Sequence, residues 1–234
     1  MTESTRLHYQ EELEQLEERA LGGLDLVTAT LNRTLEAVEQ SDVELAEQVV
    51  ADDDQIDGRY LEVHQSILAL LATQGPVATD LRLISALLHL MKSVERMGDQ
   101  CVNIAKVIPL TGHEPPGDEQ MLDDIATMGR QVRSLISQAK AAFGARDVAM
   151  ARDLVRQDDV VDELNRRGFH RAIEIGEDHD VREWATTMLL VARALERIGD
   201  NAVDIGEQTA FIVTGLFREF EDASHPETVG GTGT

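Results

Sequence analysis

The apolar residues of this chain recur at three- and four-residue steps through six long stretches, and the last three stretches repeat the order of the first three about 100 residues downstream. A period of that size points to a duplicated domain, because solenoid repeats are much shorter. In the first half, Leu13, Leu16, Leu21, Leu24, Val27, Leu31, Leu35 and Val38 stripe one helix from Leu7 to about Gln40. Ser41-Asp42 offers an N-cap, and Leu45, Val49, Ile56, Tyr60, Val63, Ile67 and Leu70 carry the same period to Gly75-Pro76. A third striped segment runs from Pro76 to Ile108 and stops at Pro109, with Gly112 and Pro115-Pro116-Gly117 beyond. The second half gives Met121 to Phe143, a break at Gly144, Asp147 to Ile175, a turn, and Val181 to Gly215. Residues correspond as well: Asp53-Asp54 answers Asp158-Asp159, and Glu95-Arg96-Met97-Gly98-Asp99 answers Glu196-Arg197-Ile198-Gly199-Asp200.

The expected fold is therefore all-α: two tandem, pseudo-symmetric three-helix bundles made of six long helices. The first spans 1–112 and the second 113–221, and 222–234, which has no apolar pattern, is expected to be a disordered tail. An aromatic content of 3% agrees with helices rather than sheets.

A formal charge of −23 repels phosphate backbones and anionic lipid heads, which argues against nucleic-acid binding and favours a basic or cationic partner. A single cysteine, Cys101, precludes an internal disulfide, and Met1 to Gln10 lacks the apolar core of a signal peptide. The expected location is the cytoplasm. The richest apolar run, Leu81 to Met91, is broken by Arg82, Ser85 and His89 and falls short of the ~20 residues a spanning helix needs, so membrane association is expected only through partners.

On the third helix, Leu83, Leu87, Leu90, Val94, Met97, Cys101 and Ile104 form the core seam, matched by Trp184, Met188, Val191, Leu195, Ile198, Ala202 and Ile205. Glu95 and Asp99 sit one turn apart on a flank of that seam, as do Glu196 and Asp200. Paired carboxylates at i and i+4 repel unless a cation lies between them. The neighbouring helix offers Asp53 and Asp57 in the first half, Asp158 and Asp162 in the second. Two facing ladders give four carboxylates per bundle, an oxygen-only set that suits Mg²⁺ or Mn²⁺ and also carboxylate-bridged iron clusters. Asn103, Asp204 and Glu207 extend the line.

The plainer interpretation is a solvated acidic face, paired with Arg96 and Arg197. Repetition weighs against it: Gly98 and Gly199 lie inside both ladders although a mid-helix glycine costs about 1 kcal/mol relative to alanine, so something close by needs the space, either a ligand or a tightly crossing helix. His89 reads as a surface histidine and Cys101 as a small buried hydrophobe. No Gly-rich phosphate loop, nucleophile elbow or His-Glu-x-x-His is visible, so no carrier for hydrolysis or phosphoryl transfer is evident and the chain is not expected to be an enzyme.

Glu95-Arg96-Met97-Gly98-Asp99-Gln100-Cys101-Val102-Asn103-Ile104-Ala105 and Glu196-Arg197-Ile198-Gly199-Asp200-Asn201-Ala202-Val203-Asp204-Ile205-Gly206-Glu207 resemble the duplicated motif of the PhoU family, and Gln74-Gly75-Pro76-Val77-Ala78-Thr79-Asp80-Leu81-Arg82 resembles its third-helix opening. The second half departs from that opening, having Glu177-Asp178-His179-Asp180-Val181-Arg182 in its place. The likeness spans about Leu7 to Phe220. It implies that Glu95, Asp99, Glu196, Asp200, Asp53, Asp57, Asp158 and Asp162 hold iron or zinc clusters. It also implies a negative regulator of phosphate uptake and phosphate-starvation signalling, a homodimer contacting a sensor histidine kinase and the ATPase subunit of the phosphate ABC importer. Two rivals differ in class. A ferritin-like di-iron enzyme normally uses Glu-x-x-His, and the residues three before His64, His89 and His170 are Leu61, Ala86 and Arg167. A metal-free helical scaffold docking a basic partner remains the other.

Overall fold

The computed structural model describes residues 3–73, 75–111, 117–175 and 178–220. The proposed bundle boundary near 112 and the tail 222–234 lie outside the described residues. Among these residues there is no strand. The helices are α1 (Glu3–Gln40), α2 (Val43–Ala51), α3 (Asp54–Thr73), α4 (Ala78–Val107), α5 (Glu119–Ala145), α6 (Val148–Glu174) and α7 (His179–Thr214), with a 3-10 turn at Ile108–Thr111. They build six rods, because α2 and α3 are one rod broken at Asp52 and Asp53.

That break corrects the continuous second helix expected from periodicity. Asp52, Asp53 and Asp54 follow one another, and aspartate favours turns and caps over helix interiors. The Asp52 carbonyl accepts from the Gln55 amide at 3.1 Å and the Asp53 carbonyl from Ile56 at 3.0 Å, while Arg33 holds the Asp52 carboxylate at 2.6 Å. The matching rod, α6, has only Asp158-Asp159 at this place and stays helical. Gln157 is held there by Gln138 at 2.6 Å and Asp153 at 2.8 Å.

The first interhelical turn repeats in both halves. Ser41 adopts φ 51 and Arg146 φ 57, left-handed conformations that end α1 and α5. Asp42 then caps α2 by accepting from the Leu45 amide at 2.9 Å, and Asp147 caps α6 by accepting from Ala149 and Met150 at 2.9 and 3.0 Å. The break expected at Gly144 is therefore displaced: the helix passes through glycine and turns at Arg146, whose guanidinium donates to the Phe143 carbonyl at 2.5 Å.

The rods form a first bundle of α1, α2–α3 and α4 and a second of α5, α6 and α7, but one hydrophobic cluster runs through both. α7 packs about as extensively on α4 of the other bundle as on α6 of its own, and α1 packs on α5. A Cβ on Gly129 of α5 would come 2.6 Å from Leu35 Cδ1 of α1, so glycine permits that close approach. Lys140 to Asp25 at 2.5 Å bridges the halves at the surface, where such pairs add little, and Arg146 to Glu17 at 2.6 Å bridges them in a half-buried position. Every residue of the α7 seam is buried, as is the α4 seam apart from half-buried Leu83. No helix among the described residues is long and apolar enough to cross a membrane.

Candidate functional site at two carboxylate-lined helix pairs

In the first half, α4 presents Glu95 and Asp99, α3 presents Asp57, and the turn before α3 presents Asp53. These carboxylates feel one another. Asp53 is raised above the usual carboxylate range, first by desolvation, then by the charges of Asp57 and Asp99, with Lys106 opposing. Asp99 is raised by desolvation, then by Glu95 and Asp57, with Lys92 and Lys106 opposing. Glu95 is paired with Lys92 of its own helix at 2.5 Å, and the same ammonium lies 6.0 Å from the Tyr60 ring centroid. Gly98 admits hydrocarbon: a Cβ there would meet Ile56 Cδ1 at 2.9 Å and Cγ2 at 3.2 Å. In this half the glycine serves helix packing.

The second half uses the same motif differently. A Cβ on Gly199 would collide with the Asp158 carboxylate, whose Oδ1 is buried against the α7 backbone. Glu196 is only 8% exposed. Its Oε1 accepts from Arg193, while Oε2 is buried with no hydrogen-bond partner among the described residues. Burial first, then the charges of Asp200 and Asp162, push its carboxyl up to about 7 against the opposing Arg193 and Arg197. A buried oxygen left in this state favours either a proton or an added cation.

Beside this pair runs a cleft of about 310 Å³ lined by Asp158, Asp200, Asp204 and Glu207, with Val155 and Val203 between them. Its outer wall is the segment after α7. Gly215, at φ 71, turns the chain back; the Arg82 guanidinium occupies the space a Cβ would need there. The Phe220 amide then donates to Glu207 Oε1 at 2.6 Å, and Glu219 joins the cleft. Asp204 is raised, first by desolvation and then by Glu219, against the opposing charges of Arg96 and His89 from α4. Glu219 and Phe220 were not singled out from sequence; the only signal was two phenylalanines, Phe217 and Phe220, beyond a glycine.

Like-charge repulsion links Asp53, Asp57, Glu95 and Asp99 in the first bundle and Glu196, Asp200 and Asp162 in the second, where Asp158 lines the same cleft as Asp200. Asp53 sits in a turn rather than on the expected helix. Of the extending residues, Asp204 and Glu207 line the second cleft, and Asn103 is exposed on α4. The expected partners Arg96 and Arg197 give way to Lys92 and Arg193, one turn earlier, as the ion-pair donors to the ladder glutamates. Among the described residues, no three His, Cys, Asp or Glu side chains are drawn tightly enough to form a finished ion cage. The chemistry of the donor set fits a hard cation, because all donors are carboxylate oxygens and one of them is buried and unsatisfied. Cys101 is fully buried and its thiol is pushed up to about 12 by burial, so it remains an uncharged core residue. His89 is exposed, its Nδ1 2.8 Å from the Ser85 carbonyl oxygen.

The fold and these two carboxylate sets define a class: helical proteins made of twinned three-helix bundles with a Glu-x-x-x-Asp ladder in each. The family model described as "PhoU domain" matches twice, over residues 24–108 and 125–209, and the chain belongs to the PhoU family. It is 33% identical over 220 residues to a phosphate-specific transport system accessory protein PhoU homolog of Clostridium acetobutylicum, covering 93% of this chain and 100% of that one. A homolog 1 of the same description from Mycobacterium leprae is 32% identical, covering 92% and 96%. The crystal structure of the phosphate transport system regulatory protein PhoU from Streptococcus pneumoniae superposes with a TM-score of 0.83 at 25% identity, covering 90% and 99%. That of PhoU from Pseudomonas aeruginosa does so at 0.81 and 28%, covering 89% and 100%.

Proposed function

We propose that this chain is a regulatory accessory protein of a phosphate-specific transport system, working in the cytoplasm as a homodimer and without chemistry of its own. It restrains phosphate uptake and phosphate-starvation signalling by joining the ATPase subunit of the phosphate ABC importer to a sensor histidine kinase. The observation that carries this reading is the doubled family match together with whole-length likeness to relatives named as phosphate-transport accessory proteins. The strong negative charge suits docking on basic partner surfaces. Deleting the gene and measuring phosphate-starvation transcripts in ample phosphate tests the role. Derepression, reversed by the wild-type gene, is the expected outcome; unchanged transcripts would refute it.

Within that role, the two sets Glu95, Asp99, Asp53, Asp57 and Glu196, Asp200, Asp158, Asp162 are metal ligands, for iron or zinc clusters as in the family resemblance, with manganese and magnesium also suited to an all-oxygen set. Supporting this is the buried, unsatisfied Glu196 oxygen among like charges, which a cation relieves. A bound cation would draw the carboxylates of α3 and α4, and of α6 and α7, toward one another and tie each helix pair. Metal analysis of protein purified without chelator or affinity-tag metal decides between this and the scaffold reading. Loss of metal in a Glu95→Ala, Asp200→Ala variant supports ligation, whereas unchanged content and unchanged partner binding support a metal-free scaffold.

A further inference from the structure

We propose that the groove between the start of α6 and the segment following α7 is an oxyanion site, in which Arg152, Arg156 and Arg218 take a tetrahedral phosphate group. The groove has a volume of about 560 Å³ and is separate from the carboxylate ladders, with Val155, Glu219 and Phe220 as the wall it shares with the acidic cleft. Three guanidiniums meet on one concave surface in a chain that has 44 acidic and only 21 basic residues. Their planar forks match phosphate oxygens two at a time, which a lysine ammonium does not do.

Each arginine is delivered by a different constraint. Arg152 and Arg156 are one turn apart on α6, so they project on the same side. Arg156 is braced: its Nε and Nη2 donate to Asp153 Oδ1 at 2.9 and 2.8 Å, and the other Asp153 oxygen is taken by Gln157 at 2.8 Å and Gln138 at 3.3 Å. Arg218 is brought over by the left-handed turn at Gly215 and fixed from both sides, by the edge-on contact of Phe217 with Phe211 at 6.0 Å and the Phe220 amide bond to Glu207. Arg152 and Arg218 line the groove and, among the described residues, make no hydrogen bond or ion pair. Two carboxylates, Asp159 and Glu219, also line the groove, so three guanidiniums there face two carboxylates. The remote net charge is screened beyond ~8 Å at physiological ionic strength, which leaves the local guanidiniums to decide.

The phosphate group can come from free orthophosphate or from a nucleotide, and the probes are inorganic phosphate and ATP. In the full chain, the Nε–H resonance of Arg156 and the backbone amides of Val155 and Phe220, all of which line the groove, are followed by NMR as each probe is added. Saturable shifts are expected, with affinity about tenfold weaker for each guanidinium removed, so the R152Q/R218Q double variant loses binding and the R130Q control keeps it. The Gly215→Ala variant keeps all three arginines but displaces the segment bearing Arg218, and is expected to weaken binding as well. Shifts with ATP alone would assign the nucleotide as the source, and shifts with inorganic phosphate would assign the free anion. Absence of shifts with both, or shifts that persist in R152Q/R218Q, would overturn the site. Anion binding in this groove requires neither the metal ligands nor the signalling role, so its absence would leave both of those readings standing.

Discussion

Ile56 fills the notch left by Gly98 in the first bundle, whereas a carboxylate, Asp158, fills the notch at Gly199 in the second. The helix motif that supplies each glycine is nearly the same, so the difference lies in the partner rod. Asp53 and Ile56 correspond by sequence to Asp158 and Val161. The turn at Asp52 and Asp53 stands where α6 stays helical; there Asp158 lies against α7 and Val161 is fully buried in the core. One helix motif can therefore serve as a packing surface in one copy and a polar cradle in the other, according to whether the facing rod is broken. The second copy also receives a wall, residues 216–220; among the described residues, α4 is followed by the 3-10 turn at Ile108–Thr111.

The largest effect expected from breaking this contrast is in the first notch. Ile56 is 3% exposed, and Ile56→Ala is predicted to lose about 2–5 kcal/mol in urea unfolding while leaving second-bundle metal content unchanged. Next comes pH. Glu196 is raised from 4.5 to about 7 in the fold, so the unfolded chain ionises first and stability falls as pH rises through that window, then levels off. In metal-free protein, Glu196→Gln should remove a penalty on the order of 3 kcal/mol at pH 8 and have almost no effect at pH 4. Melting curves of the variant and the wild type at both pH values check this.

Smaller effects sharpen the same comparison. Gly98→Ala gains about 1 kcal/mol of helix propensity but overpacks Ile56 by roughly 1–3 kcal/mol, for a net loss near ~1 kcal/mol. Gly199→Ala instead displaces the Asp158 carboxylate, and its larger consequence should be weaker metal retention in the second bundle, read by metal analysis after dialysis. Smallest in energy is a local signal: amides of residues 52–57 should exchange hydrogen faster than those of 157–162, because a broken rod opens locally more easily than a continuous one.

Much of this was legible in the amino-acid order. The apolar stripes placed all six rods and every core seam, since burial of one helix face demands that period. The break at Asp52 and Asp53 was not, because Val49 and Ile56 stand seven residues apart and keep the stripe in phase across it; the run of three aspartates was the available signal. Gly144 drew the expected break away from Arg146, because left-handed turns usually belong to glycine and here an arginine takes one and satisfies the Phe143 carbonyl itself. Of the site, the carboxylate pairs within each rod were readable from i, i+4 spacing. Burial of Glu196 and enclosure by Phe220 depend on how α6, α7 and the returning segment meet, which no local pattern encodes.

The proposed cation sites require carboxylates from neighbouring rods to converge in both bundles despite the different notches. A crystal structure of the chain loaded with iron or zinc, with anomalous data collected at the metal edge, tests this most directly. The account predicts anomalous peaks among Glu95, Asp99, Asp53 and Asp57 and among Glu196, Asp200, Asp158 and Asp162, with Glu196 Oε2 in the coordination sphere. Empty ladders in the metal-loaded crystal, with those carboxylates turned out to water, would contradict it.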